Sequence, residues 1–303
     1  DNSTLFEMYG GAITNNKTTV ESSLISADTS GGGVTLTNAT FNLYGGDITG
    51  NESKLGGGVY VNGDTFSMYG GTISGNTASM YNESGGAGGG VYINSGSFTL
   101  SAGTISRNKA DGSAGGVRVD GKFTMTGGNI TKNSSKYGGG GVYISGPSNT
   151  FTMSGGTITG NTAKNGGGVY VYAIAKFNVS GNISITGNKQ NSSTEDNVYL
   201  YTHAADGAAS ITINGKLDRA ANIGVNISPA PTTTGIKFAT GATDENAAEY
   251  AEYKDIFKSD VTNKGYYIAK QDTDLYLNPH VHTWNYIVNP NDAKGTTIKA
   301  TCS

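Results

Sequence analysis

A repeated motif of short apolar strands separated by glycines constrains this chain more than any other feature. Its clearest copy reads GGGVYV over residues 56–61 and FSMYGGTISGN over residues 66–76. Successive copies close on an asparagine, and these closing positions are Asn16, Asn51, Asn76, Asn108, Asn133, Asn161 and Asn188. The spacing varies between 25 and 35 residues, as loop insertions into a fixed structural unit would produce. A self-similar period of this length is typical of a solenoid.

Each copy contains three short strand signals. In the copy at residues 56–76, the apolar residues Val59 and Val61 flank Tyr60, which predicts a strand with one apolar face. Phe66 to Met68 repeats this alternation, and Ile73 provides the third signal. Such short strands cannot bury a core alone, but stacked repeats can pair in parallel at about 4.8 Å. We therefore predict an all-β fold, a right-handed single-stranded parallel β-helix of about eight repeats.

The pattern weakens after Asn188, and the chain divides there into repeats and a cap. We assign residues 1–228 to the β-helix and residues 229–279 to a divergent C-terminal cap, because a solenoid must cover its last apolar repeat. Asp244 to Phe257 carries a helical signal, so we expect one short helix in the cap. The residues predicted to share one side of this helix are Ala247, Tyr250, Ala251, Lys254 and Phe257. Strands are expected again at Gly265–Ala269 and Asp274–Leu277.

The recurrent asparagines predict an internal ladder at one corner of the repeat. A side-chain amide has donors and an acceptor, so identical amides one strand spacing apart can bond to each other. Because every repeat contains such a residue, a ligand-binding role is disfavoured. The predicted ladder consists of Asn51, Asn76, Asn108, Asn133, Asn161 and Asn188.

Composition excludes several classes of function. Lysine and arginine total 20 against 23 acidic residues, and no basic cluster could follow a phosphate backbone, so nucleic acid is not an expected partner. No apolar run is long enough to cross a bilayer, so membrane insertion is not expected. Cys302 is the single cysteine, which rules out an internal disulfide framework. The glycine runs lack the Lys-Ser/Thr of a phosphate loop, and we predict no cofactor.

The GGGVY and Phe-x-Met-x-Gly-Gly-x-Ile-x-x-Asn units resemble the β-helix repeats of large bacterial surface proteins, including the chlamydial polymorphic outer-membrane type. They are more similar still to secreted repeat proteins of Gram-positive gut bacteria. Residues 280–303, with His280, His282 and Cys302, resemble the truncated start of a small His/Cys module, or form a linker. The resemblance implies an extracellular, secreted or wall-attached protein, monomeric within a longer multidomain chain. It does not imply one activity, because such helices serve as adhesins, stalks and carbohydrate-active enzymes.

No catalytic or metal-binding group is predicted. Hydrolysis of a glycan needs two carboxylates on one face, and Asp47 and Asp64 are the nearest candidates, although their spacing does not bring them together. His280 and His282 supply too few ligands for a metal, and His203 has no evident partner.

An outward row of tyrosines is the candidate ligand-binding site. Tyrosine combines a flat apolar ring with a polar tip, which suits a glycan or a host surface protein as partner. The simpler interpretation is that aromatic residues favour strands and stack across neighbours. The predicted row comprises Tyr60, Tyr92, Arg118, Tyr143 and Tyr170, with Tyr199 beyond it; Tyr9, Tyr44 and Tyr69 form a second partial row.

Three functions remain open from the sequence. The first is an adhesin-like surface module that binds host or cell-wall glycans. The second is a polysaccharide-active β-helix enzyme, either a glycoside hydrolase or a lyase, and the third is a structural stalk without a ligand. Insertions at Lys17–Ser30, Thr77–Ala87 and Lys109–Ala114 fall just before the tyrosines, so loops and tyrosines are expected to share one groove.

Overall fold

The computed structural model describes residues 4–18, 30–81, 84–232, 234–243, 253–260, 266–279, 284–289 and 297–302. Nearly all of the regular structure in these residues is β, and most strands pair in parallel with the equivalent strands of neighbouring repeats. Long parallel sheets of this kind are compatible with a solenoid. The strands form three main stacks, named below after the residue type that recurs in each.

The Val stack contains the strand that follows each glycine turn. Val59 aligns with Val34 on one side and with Val91 on the other, and the register continues through Val117, Val142 and Val169. Its inward residues Val59 and Val61 are fully buried. The strands are Val34–Thr37, Val59–Met68, Val91–Leu100, Val117–Val119, Val142–Ser145, Val169–Tyr172, Val198–Tyr201 and Asn222–Ser228.

The Phe stack supplies the largest buried side chains. From Phe41 to Phe177, consecutive rings lie 4.6–5.0 Å apart with interplanar angles of 7–9°. Val59–Met68 and Val91–Leu100 run on from the Val stack into this one. The other strands are Thr4–Met8, Ala39–Leu43, Lys122–Met125, Thr150–Thr159, Lys176–Thr186, Ser210–Leu217 and Ile236–Thr240.

The Ile stack completes the core. Ile48, Ile73 and Ile105 are fully buried and aligned. Thr150–Thr159 and Lys176–Thr186 continue into this stack from the Phe stack, and Asn222–Ser228 spans the Ile and Val positions. The other strands are Ala12–Thr14, Asp47–Thr49, Thr72–Ser74, Thr104–Ser106, Asn129–Thr131 and Phe257–Ser259.

Two-residue strands between the Ile and Val stacks form a further small sheet. They pair in parallel except for the last, which folds back antiparallel. The insertion after Asn76 also contains a hairpin of Met80–Tyr81 with Ser84–Gly85. The strands of the small sheet are Glu52–Ser53, Thr77–Ala78, Lys109–Ala110, Ser134–Ser135, Thr162–Ala163, Lys189–Gln190 and Thr194–Glu195.

The cap differs in part from the sequence prediction. Its described helix is the four-residue Tyr253–Ile256, and Phe257 begins a strand that pairs with Ile223. Lys254 is exposed whereas Phe257 is buried, so these two residues of the predicted common side have different environments; Tyr253 and Ile256 are also buried. The helical periodicity ends at Ile256, because strand pairing takes over at Phe257. The predicted positions Ala247, Tyr250 and Ala251 lie outside the described residues.

The last described segments are antiparallel hairpins. Tyr267–Gln271 pairs with Asp274–Asn278, close to the two strands predicted there. Asp274–Asn278 also pairs antiparallel with Ile236–Thr240 and so covers the end of the Phe stack. Trp284–Asn289 and Thr297–Cys302 form a separate two-stranded sheet.

Candidate ligand-binding surface

The parallel register places all five predicted binding residues in one row, here called the tyrosine face. Tyr60 aligns with Tyr92, and Tyr92 aligns with Arg118. Arg118 in turn aligns with Tyr143, which aligns with Tyr170. Beyond Tyr170 the register continues to Tyr199. Their common position follows from the two-residue alternation of the Val stack, whose other residues face the core.

The tyrosine face is less exposed than the sequence prediction assumed. Tyr60 and Tyr170 retain only 7% and 9% of their accessible surface. The rings lie against the glycine turns, since a side chain at Gly138 would come within 2.9 Å of Tyr170 and 3.3 Å of Tyr143. Burial therefore raises the pKa of Tyr170 well above its usual value. These phenols stay neutral and can donate hydrogen bonds.

Stacking also determines what the face presents to solvent. The Tyr143 and Tyr170 rings lie 4.9 Å apart with an interplanar angle of 8°, so each ring covers a face of the other. Tyr60 and Tyr92 are tilted by 58° at 5.5 Å. Most of the exposed surface in the parallel part is consequently ring edge rather than ring face.

Arg118 joins the two tyrosine segments instead of interrupting them. Its Nε donates to Asp120 Oδ1 at 3.0 Å, and a terminal nitrogen donates to Ser145 Oγ at 3.0 Å. The guanidinium carbon lies 4.3 Å from the centre of the Tyr143 ring, a cation–π contact. Tyr92 donates its hydroxyl to Asp120 Oδ2 at 2.7 Å. Because the guanidinium is already paired with Asp120, it is poorly placed to receive an anionic ligand.

Sequence reasoning missed a cluster at the end of this face, here called the Tyr172 cluster: Tyr172, Ile174, Tyr201, His203 and Asp206. Tyr172 aligns with Tyr201, and their rings lie 5.4 Å apart with a 31° tilt. His203 lies 5.9 Å from Tyr172, and its Nδ1 is 2.9 Å from Asp206 Oδ2. Tyr172 and Tyr201 each follow a tyrosine of the face by two residues, so strand alternation could have identified them as outward.

The second predicted row, of Tyr9, Tyr44 and Tyr69, is much more exposed. These side chains retain 70%, 40% and 47% of their accessible surface. Their rings are nevertheless stacked in parallel, at 4.8 Å and 5.0 Å. This row is stacked as Tyr143 and Tyr170 are but is more exposed, and Tyr44 and Tyr69 serve below as a control pair.

The predicted asparagine ladder is confirmed and is fully hydrogen-bonded. Asn133 is a typical member: its Nδ2 donates to Asn161 Oδ1 at 3.0 Å and to the Ile105 carbonyl at 2.9 Å. Its own Oδ1 accepts two bonds, from the backbone and side-chain nitrogens of Asn108, at 3.0 Å and 2.9 Å. Every rung from Asn51 to Asn188 is buried, which supports a structural role.

The ladder continues beyond the predicted rungs and ends on a carboxylate. Asn188 donates to Asn197, and Asn197 donates from its backbone and side chain to Asp260, at 2.6 Å and 2.8 Å. Gly224 lies between them, and a side chain there would come within 2.2 Å of Asp260 Oδ1. Burial raises the pKa of Asp260 to about 7, although the bonds from Asn197 oppose this shift.

Asp196 is a second buried carboxylate at this end of the ladder. It accepts from the Gly166 amide at 2.6 Å and from Asn226 Nδ2 at 3.0 Å. Burial raises its pKa to about 6, with both hydrogen bonds acting in the opposite direction. With 0% and 5% exposure, Asp196 and Asp260 are out of reach of a polysaccharide.

The carboxylates considered for catalysis occupy different positions of the repeat. Asp47 lies in the Ile stack opposite Thr72, whereas Asp64 lies opposite Gly96, between the Val and Phe stacks. Within the described ranges, no group of three or more histidine, cysteine, aspartate or glutamate residues could hold a metal ion. His280 and His282 lie outside those ranges. The helix of the described part is far too short and polar to cross a membrane.

Comparison with known proteins adds no relative. No protein-family model matches the chain, and neither a curated protein nor a solved structure is detectably similar to it.

Proposed function

We propose that residues 1–228 form a right-handed parallel β-helix. The parallel pairing of equivalent residues in three stacks supports this architecture, because each repeat then advances the chain by one strand spacing. Right-handedness follows from the strong preference for right-handed crossovers between parallel strands of one sheet.

We infer that this β-helix is an adhesin-like module of an exported surface protein and binds a host or cell-wall glycan. The observation that carries this proposal is the continuity of the tyrosine face, in which Asp120 and Arg118 connect Tyr92 to Tyr143. An extended row of neutral hydroxyls and ring edges suits a long, hydroxyl-rich ligand. The extracellular location rests on the resemblance of the repeats to those of bacterial surface proteins.

The test compares two pairs of tyrosines on a glycan array. Tyr60→Ala with Tyr92→Ala should reduce binding strongly, because it removes one end of the tyrosine face and the Tyr92–Asp120 bond. Tyr44→Ala with Tyr69→Ala is the matched control, since it removes two stacked tyrosines from the other row. Circular dichroism and thermal unfolding of both variants separate loss of binding from loss of fold.

Two outcomes would favour the other functions. A parent chain that binds no glycan on the array would support a stalk. Release of reducing ends from mucin or plant polysaccharide would support an enzyme. Equal binding by both double variants would contradict the role of the tyrosine face.

A further inference from the structure

We propose that the Tyr172 cluster is the end of the ligand-binding surface that packs against a sugar ring, and that it accepts a neutral pyranose. This inference rests on the proposed glycan-binding function and adds to it a location and a ligand class. The site lies at the end of the tyrosine face that the sequence analysis did not include.

The orientation of the rings in the Tyr172 cluster suits a sugar. Parallel stacking at 8° hides the ring faces of Tyr143 and Tyr170 from a ligand. In the cluster, Tyr201 is tilted by 31° to Tyr172 and by 38° to His203. The larger tilt between Tyr60 and Tyr92 exposes little ring face, because Tyr60 retains only 7% of its accessible surface. Tilted rings expose part of their faces, and an apolar ring face is the surface on which the C–H side of a sugar can pack.

A hydrogen-bond acceptor lies beside these rings. Asp206 Oδ2 lies 2.9 Å from His203 Nδ1 and accepts from the Tyr172 hydroxyl at 3.4 Å. The distance between His203 Nδ1 and Asp206 Oδ2 is that of an ion pair, but the two atoms are not aligned for a hydrogen bond. The Asp206 side chain remains 49% exposed, so it can still accept hydrogen bonds from sugar hydroxyls.

The turn that holds Asp206 is organised before any ligand binds. The His203 carbonyl accepts bonds from the Asp206 and Gly207 amides at 3.2 Å and 2.9 Å, and the His203 amide donates to the Gly207 carbonyl at 3.2 Å. Gly207 adopts a φ of +101°, and a side chain there would come within 2.9 Å of Ile174. Such preorganisation reduces the entropy lost on binding.

Charge and exposure determine the ligand class. Asp206 would repel a sulfated or sialylated sugar, whereas it favours the hydroxyl donors of a neutral one. Ile174, which is 46% exposed, extends the apolar surface next to the turn. A partly apolar site with one oriented acceptor is the usual composition of a small-ligand site.

The experiment uses the full chain and immobilised neutral oligosaccharides of glucose, galactose, mannose and N-acetylglucosamine, with sialylated and sulfated galactosides as charged counterparts. Tyr172→Ala with Tyr201→Ala should weaken binding to the best neutral probe by about tenfold or more, the loss expected when central aromatic contacts are truncated. Asp206→Asn should weaken it less, because the amide keeps one acceptor oxygen. Tyr44→Ala with Tyr69→Ala is the control and should bind as the parent does.

The variant Tyr172→Phe with Tyr201→Phe guards against misfolding, because it keeps both rings and should retain most of the binding. If the parent binds no oligosaccharide, the proposed function and this site both fail. A parent chain that binds allows the two double variants to be compared. If the Tyr60/Tyr92 variant loses binding and the Tyr172/Tyr201 variant keeps it, only the Tyr172 site is refuted. Preference for the charged probes, or binding only to a protein, would also overturn it.

Discussion

Replacing Asn133 by alanine tests the ladder at its centre. The substitution removes an acceptor that receives two bonds from Asn108 and a donor group that makes two more, to Asn161 and the Ile105 carbonyl. Asn108 Nδ2 keeps its bond to the Ile73 carbonyl, but the Asn108 backbone N–H loses the acceptor that Asn133 provides. That amide is in a fully buried residue, so no bulk water can replace the missing acceptor.

The expected loss of stability follows from this inventory. An unsatisfied buried donor contributes about 1–3 kcal/mol of destabilisation, and each of the other three lost bonds contributes about 0.5–1.5 kcal/mol. These ranges total about 2.5–7.5 kcal/mol, and partial relaxation of the neighbouring amides reduces the loss, so we expect about 2–5 kcal/mol. This loss of stability exceeds that expected for one unsatisfied amide, because each asparagine side chain hydrogen-bonds to the asparagines on both sides of it.

Urea unfolding followed by circular dichroism measures the change, and Asn62→Ala provides the matched control. Asn62 also accepts a bond from an asparagine of the next repeat, Asn94, at 2.9 Å, but both residues are exposed. Its loss should therefore change stability by about 0.5 kcal/mol or less. Native-state hydrogen exchange should show the Asn108 amide losing protection in Asn133→Ala. Equal destabilisation by the two substitutions would refute the ladder argument.

Two further predictions concern the core and the cap. Val142→Asp places an unpaired carboxylate at a fully buried position and should destabilise the chain by roughly several kcal/mol, as other buried unpaired charges do. Unchanged thermal unfolding of this variant would show that residue 142 faces outward. The raised pKa values of Asp260 and Asp196 mean that the folded state binds their protons more tightly than the unfolded state does. Protonation of these two groups therefore stabilises the fold, fully below about pH 4, and this contribution is lost as the pH rises towards 7. Compared with Asp260→Asn, the parent should thus become relatively less stable between pH 4 and pH 8 in thermal melts, and a pH-independent difference would contradict this.

The sequence predicted the parts of the structure that repeat. Val59, Phe66 and Ile73 are buried as expected because alternation within a strand and equivalence between repeats gave two independent indications of their orientation. The same reasoning aligned Tyr60 with Tyr92 but could not predict the burial of Tyr60. That burial depends on the path of the glycine turns, which the strand pattern does not specify.

The features that occur once could not be predicted in this way. Asp260 lies 63 residues from Asn197 and belongs to a segment without the repeat pattern, so no periodicity connects the two. His203 and Asp206 are close in the chain, but their relation to Tyr172 depends on how residues 202–207 fold back. A single sequence contains no signal for such contacts.

The direction of the ladder explains why it ends on an aspartate. Between rungs, each asparagine donates to the asparagine on its C-terminal side and accepts from the one on its N-terminal side, as Asn76 does with Asn108 and Asn51. An asparagine in the final position would add its own side-chain N–H donors, and these would in turn need a further acceptor. The two oxygens of a carboxyl group can each accept a bond from Asn197, and above its pKa Asp260 carries no donor of its own, so it closes the series. Burial raises the pKa of Asp260 to about 7, because the ionised form has to be held away from water. Residues 253–260 therefore supply the ladder with its last acceptor and, through the pairing of Phe257 with Ile223, extend the Ile stack.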